Sequence, residues 1–125
     1  MPDAASFVVA VLETEPVVLL RASGDVDASS VEGLTGAFDQ TLREHPGHVV
    51  LDADAITFID STGVTALMTA MRRLHRDRRR LAVACGQGCA LEQALRMTGL
   101  DHTFDLHPTA AGAMEHMAEA PRLGR

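Results

Sequence analysis

Phe58-Ile59-Asp60-Ser61-Thr62-Gly63-Val64-Thr65-Ala66-Leu67 is an apolar run that ends in an acid, two hydroxyls and a glycine. Beyond it, Val64, Leu67, Ala70, Met71 and Leu74 recur at helical spacing, so the stretch reads as a strand passing directly into an amphipathic helix. A helix start presents unpaired backbone N–H groups and the positive end of the helix dipole. A serine there can cap the helix or carry a phosphate that the helix end accepts. Ser61 is therefore the first candidate functional residue.

Working outward, His48 to Leu51 is a compact apolar run expected as a central strand, and a separate segment, Ile56 to Ile59, leads into the junction. Further upstream, Phe7 to Leu12 and Pro16 to Ala22 are rich in Val and Leu and are separated by Glu13-Thr14-Glu15. That spacing suits an antiparallel hairpin. Gly24 breaks the second run, and Asp25, Asp27, Ser29 and Ser30 supply turn and cap chemistry before a helix predicted over Ser29 to Glu44, ended by Pro46-Gly47. Downstream, Leu81 to Cys85 reads as a strand, Gly86 and Gly88 as its turn, and Leu91, Ala94 and Leu95 as a shorter helix. Phe104 to Leu106 is expected as the last strand and Thr109 to Ala118 as the last helix. The order β-β-α-β-α-β-α-β-α predicts a mostly parallel sheet built by right-handed crossovers. With 125 residues the chain has room for one core. The domain is expected over residues 6–118, with flexible tails at 1–5 and 119–125.

Composition narrows the function classes. All eleven basic residues are Arg, which removes catalytic lysines, Schiff bases and P-loops. The net charge of −6, the pI near 5.4 and an aromatic content of 3% argue against nucleic-acid binding. Arg72, Arg73, Arg76, Arg78, Arg79 and Arg80 do form a local basic cluster, read as a solvated face where cations suit a helix C-terminus. Met1 to Ser6 lacks the basic start of a secretory signal, and no run approaches the roughly 18 apolar residues of a membrane span. The expected location is the cytoplasm, where Cys85 and Cys89 would be reduced.

Competing chemistry is sparse. Asp60-Ser61-Thr62-Gly63 lacks the second copy that an aspartic protease dyad requires. Ser61 lacks a nucleophile elbow and a nearby His in sequence, which leaves a small hydrolase far behind. Cys85-x-x-x-Cys89 is too sparse for structural zinc and has the wrong spacing for a redox pair. His45, His48, His75, His102, His107 and His116 are scattered, with only His102 and His107 close, so no metal site is expected. The acidic turn Gly24-Asp25-Val26-Asp27 stands apart from these negatives. In a parallel sheet, strand ends and the helix starts that follow them share one edge, so its carboxylates should lie on the same surface as Ser61.

The two motifs resemble those of the STAS domain family, specifically the bacterial anti-sigma factor antagonists. Their signature is Asp-Ser-Ser/Thr-Gly-Leu-Gly at a helix start, whose first four positions match Asp60-Ser61-Thr62-Gly63. An earlier Gly-Glu-Leu-Asp resembles Gly24-Asp25-Val26-Asp27. Val64 and Thr65 stand where the family has Leu and Gly, and Asp25 where it has Glu, which shortens an acidic reach. The resemblance runs from about Ser6 to Ala118 and implies a single STAS-like α/β domain with a mixed sheet, an N-terminal β-hairpin and about four helices. It implies that Ser61 is the serine a partner kinase phosphorylates and that Asp25, Asp27, Asp60, Thr62, Gly63 and Thr65 form the partner-binding surface. The implied partner is an anti-sigma factor of the ATP-binding serine kinase type, bound by the unphosphorylated chain so that a sigma factor is released. A serine phosphatase would be a second partner. The resemblance further implies a monomer when free, with no enzyme activity and no cofactor. The alternative is a STAS-type scaffold or ligand-binding module in which Ser61 only caps a helix.

Overall fold

Five strands lie side by side in the order in which the chain makes them, β1-β2-β3-β4-β5. The computed structural model describes residues 7–124, so the tail expected at 1–5, with Ser6, lies outside the described residues. The elements are β1 (Val8–Glu13), β2 (Val18–Val26), α1 (Val31–Glu44), β3 (Val49–Ile59), α2 (Ser61–Arg76), β4 (Leu81–Ala84), α3 (Ala90–Met97), β5 (Asp105–His107) and α4 (Ala110–Glu119). This is the expected order of elements. The β1–β2 pair is antiparallel and the other three pairs are parallel.

Strand alternation sends neighbouring residues to opposite faces and so builds two cores. Val18, Leu20, Val49, Leu51, Leu81 and Val83 pack beneath α1, α2 and α3, with Leu34, Phe38, Leu67, Leu74, Leu91 and Leu95 as the helical partners. Val17, Leu19, Val50 and Ala82 face the other way, where α4 covers them with Ala113 and Met117. Three crossover helices therefore share one face and α4 alone holds the other.

Two predicted boundaries are corrected. The runs His48 to Leu51 and Ile56 to Ile59 belong to one strand of 11 residues, β3, despite the acids between them. Asp52 is tolerated there because Arg21 donates to its Oδ2 at 3.2 Å, while Asp54 Oδ1 accepts the Gly86 N–H at 2.7 Å. Two breaks in register against β2, after Asp52 and after Ile56, absorb extra residues in β3. Likewise β2 does not stop at Gly24 but continues to Val26, with Gly24 at φ +95° inside the strand.

The basic cluster is also divided. Arg79 is buried and donates to the carbonyls of Leu42 (3.2 Å), His45 (2.5 Å) and Gly47 (2.8 Å). These lie at and just beyond the C-terminal end of α1, where carbonyls lack helical partners, so this guanidinium closes a helix end instead of facing solvent. Burial lowers its pKa, partly offset by Asp77. Arg73 pairs with Asp39 of α1, and the Arg80 Nε donates to the Pro121 carbonyl at 2.7 Å.

Beyond α4, the Leu123 N–H donates to the Arg78 carbonyl at 2.8 Å and Arg122 donates to the Asp77 carbonyl at 2.9 Å. His48 joins this segment to the sheet. Its Nδ1 accepts the Arg80 N–H at 3.0 Å, which makes Nε2 the donor to the Ala120 carbonyl, also at 3.0 Å. Burial holds the His48 pKa below its ordinary value of 6.5, reinforced by the charges of Arg80, Arg122 and Arg79.

The sulfurs of Cys85 and Cys89 are brought together across the turn that follows β4. The Gly86–Gly88 turn brings their Cα atoms to 5.9 Å, inside the range a disulfide spans.

Candidate functional site

At the end of β3 the chain reaches Asp60 in an extended conformation and then enters α2. The Val64 N–H makes the first helical bond to the Asp60 carbonyl at 3.0 Å. The Asp60 Oδ1 accepts the N–H groups of Thr62 (3.0 Å) and Gly63 (3.2 Å). Asp60 is therefore the N-cap and Ser61 is the first helical residue. This corrects the reading of Ser61 as a cap: its side chain is exposed and its hydroxyl makes no hydrogen bond among the described residues.

The acidic turn lies against this junction. Val26 pairs with Ile59 and Asp25 with Phe58 in the parallel register, and the Asp60 N–H donates to the Val26 carbonyl at 3.2 Å. Asp25 Oδ1 accepts the Thr57 hydroxyl at 2.6 Å. Asp27 Oδ1 accepts both the N–H (2.9 Å) and the hydroxyl (2.6 Å) of Ser29, and these bonds lower its pKa below 3.8. Asp25, Asp27 and Asp60 each commit Oδ1 to the fold, while their Oδ2 atoms have no partner among the described residues. The strand-end register thus brings these carboxylates to the same edge of the sheet as the start of α2, with acceptor oxygens available to donors from a docking surface.

Other residues expected at this site divide by depth. Thr62 and Thr65 are exposed, and Thr65 sits one turn beyond Ser61 on the same helical face. Gly63 is buried: a Cβ there would meet Ile59 Cγ1 at 2.6 Å and Val26 Cγ1 at 2.7 Å. Its contribution is to let α2 seat closely on the strand ends. Sequence reasoning missed Phe58 as a surface residue by counting it in an apolar run, yet it is 50% exposed beside the acids. An exposed aromatic in register with Asp25 suits an interface anchor. Farther along α2, a cavity of about 110 Å³ opens between α1 and α2, lined by Thr35, Phe38, Ala66 and Thr69 together with the paired Asp39 and Arg73. No helix of the described residues is long and apolar enough to cross a membrane.

The family sequence model described as the STAS domain matches residues 9–113. The anti-sigma-F factor antagonist RsfB of Mycobacterium tuberculosis is 26% identical over 113 residues, covering 90% of this chain and 89% of that protein. The crystal structure of an anti-sigma factor antagonist from Mycobacterium paratuberculosis superposes with a TM-score of 0.81 at 25% identity, covering 95% of this chain and 100% of that one. The Bacillus cell fate determinant SpoIIAA, solved in its phosphorylated form, gives a TM-score of 0.64 at 19% identity over 89% of this chain and 98% of its own. That last likeness is one of fold.

Proposed function

The chain belongs to the STAS domain family, and on that premise we propose that it is an anti-sigma factor antagonist controlled by phosphorylation of Ser61. Unphosphorylated, it binds an anti-sigma factor of the ATP-binding serine kinase type and frees the sigma factor for transcription. The kinase modifies Ser61 and so ends the interaction, and a serine phosphatase restores it. The chain performs no catalysis of its own. The names of its mycobacterial relatives support the antagonist role. The observation that carries the switch is the division of labour at the start of α2: Asp60 does the capping, so the exposed Ser61 hydroxyl is not needed by the fold.

The electrostatics support a switch in the interface. A phosphate adds about −1.5 to −2 charges near neutral pH. The helix dipole tolerates it, but Asp60 already occupies the Thr62 and Gly63 N–H groups. The new charge therefore adds to that of Asp60 on an edge that already carries Asp25 and Asp27. Against a carboxylate about 6 Å away on the partner, each charge pair costs about 3 kcal/mol at an effective dielectric near 20. That is roughly a hundredfold in affinity.

The test uses the anti-sigma kinase recovered from native lysate. Wild type should gain one phosphate by intact mass when kinase and ATP are present. Ser61→Ala should bind without gaining mass, and Ser61→Asp should bind more weakly. Demonstrated complex formation with no mass change, or equal binding of wild type and Ser61→Asp, favours the scaffold reading instead.

A further inference from the structure

The geometry points to a divalent transition-metal site, best matched by Zn²⁺, formed by Asp105, His107 and His116 on the α4 face of the sheet. Asp105 and His107 are two residues apart on β5 and so project to the same side. They pair with Ala82 and Ala84 of β4, and Ala82 belongs to the core that α4 covers. His116 comes from α4 itself, between the buried Ala113 and Met117. Strand and helix thus bring three potential ligands to one place. One ligand atom from each lies within 4.8 Å of the others, and the two imidazole centroids are 5.2 Å apart.

The state of His107 points to a ligand. Its Nε2 is buried and has no hydrogen-bond partner among the described residues. The Asp105 Oδ1 is only 3.1 Å away, close enough for an ion pair but not aligned as a hydrogen bond. An unpartnered buried ring nitrogen is unusual and costly. Donors bound to one zinc at about 2.0–2.1 Å stand about 3.3 Å apart in a tetrahedron, so the observed spacing suits two atoms converging on a shared cation. Two imidazoles and one carboxylate favour zinc and its transition-metal neighbours over Mg²⁺ or Ca²⁺, which prefer all-oxygen shells. The fourth position remains for water. Arg80 and Glu119 line the adjoining pocket with His116, and the Arg80 Nε is anchored on the Pro121 carbonyl. A bound ion would fasten the three-residue edge strand β5 to α4, on the face opposite α2.

Calorimetric titration of Zn²⁺ into the full chain, freed of metal by chelator, tests the site. Wild type should bind one ion with a raised thermal midpoint. His116→Ala and Asp105→Asn, both at exposed positions, should retain the wild-type circular dichroism spectrum and bind at least tenfold more weakly. His102→Ala should bind as wild type. Imidazole NMR signals of His107 and His116 should shift together on saturation. A wild-type chain that takes up no equivalent of Zn²⁺, equal affinity in wild type and His116→Ala, or loss of binding in His102→Ala overturns the assignment.

Discussion

The backbone N–H of Asp60 donates to the carbonyl of Val26 at 3.2 Å, so the acidic turn and the start of α2 are held together by main chain. Side-chain changes at either motif can therefore be read as local effects on one fixed edge.

Asp60→Ala removes the acceptor for the Thr62 and Gly63 N–H groups. Loss of such a cap costs about 1 kcal/mol. Ser61→Ala should change stability by less than about 0.5 kcal/mol, as exposed substitutions do. Urea unfolding of both variants checks this, and equal losses would remove the basis for assigning the cap to Asp60.

Gly63→Ala should destabilise by about 1–3 kcal/mol through overpacking, although Ala is the better helix former. The cause would be the Ile59 and Val26 side chains beneath it. Combining it with Val26→Ala should cost less than the sum of the single changes, because the pair shares one contact. Strict additivity in thermal or urea melts would show that crowding is not the cause.

Arg79→Met strands the carbonyls of Leu42, His45 and Gly47. Charge-assisted bonds of this type contribute about 1.5–3 kcal/mol when lost, so a decrease near 3 kcal/mol is expected. Arg79→Lys should recover only part of it, since an ammonium cannot fork to three carbonyls. Urea unfolding of the two variants measures both effects, and a neutral Arg79→Met would contradict the helix-closing role.

His48 gives the fold a pH dependence of definite sign. Its folded pKa lies below the unfolded 6.5, so the unfolded chain takes up the proton first. This contribution is complete above about pH 6.5, declines as pH falls toward the folded pKa, and is constant below it. Protonation would also set an N–H on Nδ1 against the Arg80 N–H. His48→Gln should flatten the stability profile between pH 7 and 5 relative to wild type. Parallel profiles in thermal melts across that range would exclude His48 as the source.

Much of this was legible because strand–helix alternation and the Asp60-Ser61-Thr62-Gly63 junction are local signals. The element order and the central place of β3 follow from them. Asp52 and Asp54 hid the continuity of β3, because their partners Arg21 and Gly86 come from other parts of the chain. Arg79 looked like one of several solvated arginines for the same reason. Ser61 was displaced from the capping role by a neighbour with the stronger acceptor, which periodicity cannot resolve. His107 and His116 lie on different elements, so their proximity follows only from the packing of α4 on β5.

Spatial strand order that repeats chain order bears on how the molecule assembles. Each new strand pairs with the one made just before it, so the loops that must close contain only one helix or one turn. Short closures keep contact order low for a parallel sheet and favour rapid folding. During synthesis the first face can form from the N-terminus onward, while the second waits for α4, the last element made. A chain interrupted before α4 would expose Val17, Leu19, Val50 and Ala82 and present a sticky half-finished sheet.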